Sequence, residues 1–362
     1  MKWEKKKLNE LGSVSRGRSR HRPRDATHLY GGPYPFIQTG DVKHAGLYIR
    51  EYSQTYSEAG LEQSKIWNKG TLCITIAANI ADTTILAIDA CFLDSVIGFV
   101  ADTSRCDVRF VKYQLDLIRE QYRNISQGVA QDNLSLEKLL SIDVLAPNIQ
   151  TQNRIADVLS TYDALIENNR RRIALLEESA RLLYQEWFVR LRFPGYEHTR
   201  IVDGVPEGWE KRFATEVIDF DPPTKVAKDR ENWFVEMSCL SGGGMVIADF
   251  VKRYGNSGSK FQNGDTLFAR ITPCLENGKT GYVNFLPEDD VGLGSTEFIV
   301  MRGKRVSPEF VYCFARSTYV REKAIKSMIG ASGRQRVQKS CFNDILVPLP
   351  PKRIAQQFDD IV

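Results

Sequence analysis

Between Gln152 and Arg192 the chain contains neither proline nor glycine. Apolar or near-apolar residues recur there at Ile155, Leu159, Tyr162, Ile166, Asn169, Ile173, Leu176, Ala180, Leu183 and Trp187. The steps alternate four and three, which is a heptad seam and predicts one long helix. At a rise of about 1.5 Å per residue the helix is roughly 60 Å long. Asn169 is the polar member of the seam, a placement that fixes register at some cost in stability. Arg170, Arg171, Arg172, Glu177, Glu178 and Arg181 form the solvated flank, and Phe193-Pro194-Gly195 stops the helix. So regular a seam calls for a partner helix; the competing reading is an amphipathic helix lying on one domain.

On either side of this stretch the pattern changes to short runs rich in β-branched and aromatic residues. Gly70–Ala77, Phe92–Ala101, Thr266–Thr272 and Ser295–Arg302 read as strands. Phe110–Asn124 and Pro308–Met328 read as helices, the second opened by Ser307 as N-cap with proline at the first helical position. Strands and helices do not alternate regularly, so the class is α+β.

The two sides echo one another. Trp3-Glu4-Lys5 recurs as Trp209-Glu210-Lys211 at a spacing of 206, and Ile142–Pro147 resembles Ile345–Pro350 at a spacing of 203. Tyr34–Ile37 has a counterpart in Asn232–Val235, and Gly70-Thr71-Leu72 in Gly264–Leu267. These matches keep their order along the chain, at a period too long for a solenoid. They predict two similar domains with a pseudo-twofold relation: residues 1–150, a spacer helix over 151–193, residues 194–350, and the start of a second such helix at 351–362. Ile354, Phe358 and Ile361 begin that second seam, and three readings stay open: natural truncation, a continuation beyond this fragment, or a partner helix from a second chain.

Composition narrows the chemistry. The chain has 362 residues, 42% of them hydrophobic and 26% charged, which excludes a disordered or collagen-like polypeptide. It has no apolar run long enough to span a membrane, and its charged N-terminus has no apolar stretch after it, unlike a secretory signal. Seven scattered cysteines without a CxxC pair suit a reducing compartment, so the cytoplasm is expected. The net charge is only +4, yet residues 1–30 carry nine Lys/Arg against three acids. Arg16, Arg18, Arg20, Arg22 and Arg24 alternate with small or polar residues, and Gly17 and Pro23 forbid a helix, so a basic loop or extended arm is expected. A second polar-basic loop covers 330–339. Such loops suit phosphate and base contacts; a plain solvated surface is the alternative.

If the basic loops contact nucleic acid, side-chain geometry nominates the readers, since Arg pairs with guanine and Asn or Gln with adenine. In the first domain they are Arg16, Arg18, Arg20, Gln38, Thr39, Gln131 and Asn133. In the second they are Lys225, Lys228, Arg270, Thr272, Arg334, Gln335 and Arg336.

No catalytic set emerges. Asp221-Pro222-Pro223 lacks the aromatic fourth residue of an amino-methyltransferase motif, since Thr224 stands there, and no glycine-rich loop for S-adenosylmethionine closes a strand. The dipeptide Pro-Asp, needed for a PD-(D/E)xK nuclease, does not occur. His21, His28, His44 and His198 show no metal-ligand spacing, so no metal site is expected.

The sequence resembles the specificity subunit of type I restriction–modification systems. The resemblance is carried by the opening WEKKKLNELGSV and its echo GWEKRFATEVIDF, by the closings IDVLAPNIQTQNRIADVL and NDILVPLPPKRIAQQF, by the helix ending LLYQEWFVRLRFPG and by the DFDPPTK segment. It implies two target-recognition domains, each reading one half of a bipartite, asymmetric site in double-stranded DNA. It also implies antiparallel helices that dock two modification (methyltransferase) subunits, and a restriction (endonuclease/translocase) subunit in the full assembly. The chain itself is then non-catalytic, with S-adenosylmethionine, ATP and Mg on partner subunits only. Its near lack of a second long helix departs from the family and leaves helix pairing with a second chain open. The alternatives are a coiled-coil scaffold and a stand-alone DNA methyltransferase or endonuclease.

Overall fold

A computed structural model describes residues 3–76, 81–125, 135–226, 229–247, 249–331 and 333–362. The chain divides into two units, Met1–Asn169 and Arg170–Val362.

The first unit runs β1 (Glu4–Lys6), α1 (Leu8–Leu11), β2 (Gly12–Arg16), β3 (Tyr30–Ile37), α2 (Thr39–His44), β4 (Tyr48–Ile49), β5 (Gln54–Tyr56), α3 (Glu58–Glu62) and β6 (Ile66–Trp67). It continues with β7 (Leu72–Thr75), β8 (Thr83–Leu86), β9 (Ala90–Phe92), β10 (Val96–Ala101), α4 (Val108–Ile125), α5 (Leu136–Ser141), β11 (Val144–Ala146) and the start of α6 (Ile149–Tyr184). The second unit takes over α6 and adds β12 (Ile201–Val202), β13 (Val205–Pro206), β14 (Glu210–Phe213), α7 (Ala214–Val217), β15 (Ile218–Phe220), β16 (Glu231–Val235), β17 (Val251–Tyr254) and β18 (Ser259–Phe261). Then come β19 (Thr266–Ala269), β20 (Thr280–Tyr282), β21 (Gly292–Gly294), β22 (Phe298–Gly303), α8 (Pro308–Arg316), α9 (Thr318–Lys326), β23 (Leu346–Leu349) and α10 (Lys352–Asp359).

The sheets repeat almost strand for strand. In the first unit they are ordered β1-β11, β2-β10-β7-β8-β4 and β5-β3-β9-β6; in the second, β14-β23, β15-β22-β19-β20 and β17-β16-β21-β18. Both units carry a parallel pair at the same place, Phe36 opposite Cys91 and Phe234 opposite Leu293, and the first unit adds a second where β4 joins β8. The closing pairs share their register: Glu4 faces Ala146 and Glu210 faces Leu349, which reproduces the two spacings found in the sequence. The turns before β7 and β19 also match. Thr71 N–H donates to Asn68 O at 3.1 Å and Asp265 N–H to Gln262 O at 3.1 Å, with Gly70 at φ 89° and Gly264 at φ 88°. That left-handed backbone favours glycine, which has no Cβ to clash.

Each unit has its own apolar core. In the first, Leu72, Ile74, Ile97 and Phe99 of the central sheet pack on Leu8, Val111 and Leu115. In the second, Phe268, Ile299 and Met301 pack on Phe310, Val311 and Phe314. Tyr184, Trp187 and Phe188 join this second core, with Phe188 4.9 Å ring to ring from both Phe310 and Phe358.

Several expected elements differ in their limits. Phe92–Ala101, read as one strand, is two, β9 and β10, in different sheets and joined by a turn in which Val96 N–H donates to Leu93 O at 3.0 Å. Pro308–Met328, read as one helix, breaks at Ser317, whose backbone is extended (φ −63°, ψ 140°) and whose hydroxyl donates to Phe314 O at 2.7 Å. The long helix starts at Ile149, because the Asn148 side chain caps the Thr151 N–H at 2.9 Å. It stays α-helical to Tyr184 and finishes as a π-helical turn over Gln185–Val189, which places Trp187 and Phe188 in the core. Along its middle the seam side chains Leu159, Tyr162, Ile166, Ile173 and Leu176 are exposed, as is Asn169, while Ile155 and Ala156 pack beside Phe110.

Candidate nucleic-acid interface

The basic segment after β2 is not a free arm. Gly17 and Ser19 are buried, and the Gly17 N–H donates to Val96 O at 2.8 Å. A Cβ on Gly17 would sit 2.1 Å from Leu93 O, so the glycine is required for this close approach. Arg18 N–H donates to Phe92 O at 3.2 Å, and Arg18 O accepts from the Ser64 hydroxyl at 2.9 Å. Arg20 N–H donates to Gln63 Oε1 at 2.7 Å. Of the two forms expected, a loop or an extended arm, the segment is a loop whose backbone is fastened to the sheet, and of its arginines the side chains of Arg16, Arg20, Arg22 and Arg24 face solvent. Arg18 is half-buried, with its Nε lacking a hydrogen-bond partner among the described residues. Arg24, which the sequence reading counted but did not nominate, donates from Nη2 to both Asp94 oxygens at 2.9 and 2.7 Å.

Gln38 and Thr39 stand at the entry of α2. The Gln38 amide nitrogen donates to Gln54 Oε1 at 2.8 Å, and its backbone N–H donates to Asp41 Oδ2 at 2.8 Å. Gln131, Asn133 and Lys228 lie outside the described residues, and Lys225 is exposed.

In the second unit the structure brings four nominated residues together. Isolated bridges join Ile271 and Ile329 to Arg336, and the Thr272 N–H donates to Gln335 O at 3.1 Å. Val337 N–H donates to Arg270 O at 2.9 Å, and Arg270 Nη2 to Val337 O at 3.2 Å. Arg270 Nε and Thr272 Oγ1 are buried polar atoms without a hydrogen-bond partner among the described residues. A desolvated donor and hydroxyl are costly unless a ligand or water satisfies them. Arg334 is exposed beside them. Arg336 donates from Nε and Nη2 to the Glu297 carboxylate at 2.7–3.0 Å, and this guanidinium holds the Glu297 carboxyl below the usual carboxylate range. Lys339 Nζ lies 2.8 Å from Asp221 Oδ2.

Sequence reasoning missed the two acids, Asp94 and Glu297. The signal that could have found them is their place just before the matched strands β10 and β22.

Other chemistry finds little support. The Asp221 carboxylate is engaged by Lys339 and by the Val300 N–H at 2.8 Å. Burial pushes the Cys106 and Cys313 thiols up to about 12, far from a nucleophilic thiolate at neutral pH. Among the described residues no group of three His, Cys, Asp or Glu side chains could hold a metal ion, and no helix is long and apolar enough to cross a membrane.

Residues 1–178 match the family model for the type I restriction modification DNA specificity domain. The specificity subunit of the type I restriction enzyme MjaIX from Methanocaldococcus jannaschii is 23% identical over 382 residues, spanning 99% of this chain and 86% of that protein. The EcoEI specificity subunit from Escherichia coli is 31% identical over 154 residues, covering 41% of this chain and 26% of that protein. Among solved structures, the type I restriction–modification S subunit from M. genitalium covers 100% of this chain and 88% of its own, with a TM-score of 0.54 at 15% identity, a likeness of fold. The family model stops at residue 178, but the second unit repeats the strand order of the first. Residues 1–178 are therefore a type I restriction modification DNA specificity domain, and the chain as a whole is similar to the specificity subunits of type I restriction enzymes.

Proposed function

We propose that this chain reads a bipartite, asymmetric site in double-stranded DNA, one half through each unit. The observation that carries the reading is the pairing of a repeated framework with unlike basic loops. The strand order is shared, while Arg16–Arg24 decorate one unit and Arg270, Thr272 and Arg334–Arg336 the other. Two copies of one scaffold with different exposed donors suit two different half-sites.

On this reading the units are target-recognition domains over about 1–150 and 194–350, and the helix between them sets the permitted gap between half-sites. The exposed seam of α6 is where modification subunits or a second chain's helix dock, and a restriction subunit completes the assembly. The chain contributes no catalytic group; S-adenosylmethionine, ATP and Mg act on partner subunits, in the cytoplasm.

The test is selection from a randomised duplex library followed by titration at several salt concentrations. Enrichment of one split sequence, with affinity falling steeply as salt rises, is expected. Equal binding to unrelated duplexes refutes the reading. Co-purification with a modification subunit checks the docking role separately.

A further inference from the structure

The turn that leads into the central strand of each unit is built alike. Val96 N–H donates to Leu93 O at 3.0 Å in the first unit, and Phe298 N–H to Ser295 O at 3.2 Å in the second. Both turns are tied to the neighbouring strand in the same way: Ile76 N–H donates to Ser95 O at 3.0 Å and Arg270 N–H to Glu297 O at 3.0 Å. Each turn carries one carboxylate, Asp94 or Glu297, and each carboxylate holds one arginine of a basic loop. The acids stand one place apart in the matched turns, since Glu297 matches Ser95 and Asp94 matches Thr296, and the arginines come from unrelated stretches, Arg24 before β3 and Arg336 before β23; the two units reach a similar acid–arginine pair by different residues.

In both pairs the carboxylate is less exposed than the cation it holds. Side-chain exposure is 36% for Asp94 against 43% for Arg24, and 22% for Glu297 against 46% for Arg336. The guanidinium thus caps the acid and faces outward. Glu297 engages the Nε and Nη2 edge of Arg336, so the Nη1 and Nη2 end remains for a ligand. That end presents two parallel donors, the arrangement that matches O6 and N7 of guanine. A naked carboxylate at a DNA surface repels phosphate; capped by arginine, it instead stiffens a long, rotamer-rich side chain before it meets a base.

The geometry points to Arg336 as a guanine reader with Glu297 as its positioning residue; in the other half-site Arg24, whose Nη2 alone takes both Asp94 oxygens, is the counterpart that reaches guanine through Nη1, with Asp94 orienting it. This assignment rests on the bipartite DNA reading above.

The experiment uses the full chain and its library-selected target, with every base pair substituted in turn. The readout is the ratio of Kd between substituted and intact duplex at each position. In the native chain, one guanine in each half should show a ratio of roughly 5- to 100-fold, the worth of a bidentate contact. E297A and R336A should both collapse the ratio at the same base pair of one half. The double variant should lose no more than R336A alone. D94A and R24A should do the same at a base pair in the other half. E297Q, which keeps the side-chain shape, should fall between native and E297A. Unchanged thermal unfolding of these variants is expected, because exposed ion pairs contribute little to stability. The assignment is overturned if E297A shifts Kd for all duplexes by one common factor and leaves every ratio as in the native chain. A native chain that shows no ratio at any position overturns the DNA reading itself.

Discussion

Asp265 and Arg302 form a pair whose removal should be costly in one way and cheap in another. Asp265 is fully buried, and Arg302 grips it with Nε and Nη2, each at 2.7 Å. The Gln262 N–H also donates to the Asp265 carboxylate at 2.8 Å. Replacing Arg302 by valine leaves a buried carboxylate with that one donor. Breaking a buried pair from one side costs about 3–5 kcal/mol. The Arg302 side chain keeps 23% of its exposure, so water reaches the gap and the lower end, about 3 kcal/mol, applies. The first unit shows how the same fold manages without the pair, for Thr71 and Val100 occupy the matching places, with the Thr71 hydroxyl donating to Asn68 O at 2.7 Å. The double variant D265T/R302V copies that solution and should unfold within about 1 kcal/mol of the native chain, since apolar replacement of a buried pair is often near neutral. Urea unfolding, with hydrogen exchange on peptides from β19 and β22 to localise the change, measures both variants. In R302V, burial keeps the Asp265 carboxyl raised. The folded state then binds a proton more readily than the unfolded chain, so the deficit should be largest near neutral pH and shrink as pH falls toward the ordinary Asp range near 4. A cost below about 1 kcal/mol for R302V, or a double variant as unstable as the single one, would refute the reasoning.

Other outcomes follow from the same structure. Phe358→Ala removes a ring buried to 1% exposure among Tyr184, Trp187 and Phe188, and should lower the stability of the second unit by about 3–5 kcal/mol in urea unfolding. Leu176→Glu changes a side chain that is 67% exposed, so its unfolding midpoint should stay near native while co-purification with a modification subunit is lost. Gly17→Ala forces a Cβ against Leu93 O and Phe92 O; it should destabilise the first unit and weaken reading of only one half-site, measured by unfolding and library selection together.

The repeat and the long helix were legible because both are long patterns. The 206 and 203 spacings reappear as matched strand registers, and a seam of ten positions predicts a helix whatever its ends do. Limits set by single residues were not legible. Ser317 breaks a helix although serine tolerates helix interiors, and Asn148 extends one by capping. The fastening of the basic segment depends on Gln63 and Ser64, more than 40 residues away in the chain, and no local pattern announces such a partner. The arginine count was readable, but the pairing of Arg24 with Asp94 and of Arg336 with Glu297 needed the folded turn. Arg270 and Thr272 were nominated for donor chemistry, and the fold adds what the sequence cannot contain, a half-buried place beside Gln335 in which Arg270 Nε and Thr272 Oγ1 have no partner among the described residues.

On the proposed reading each unit answers for its own half of the target. Library selection with the native chain and with a chain carrying R334A and R336A tests it most directly. The substituted chain should select the same sequence in one half and a relaxed sequence in the other, with the gap between halves unchanged. Relaxation of both halves together, or none in either, would contradict it.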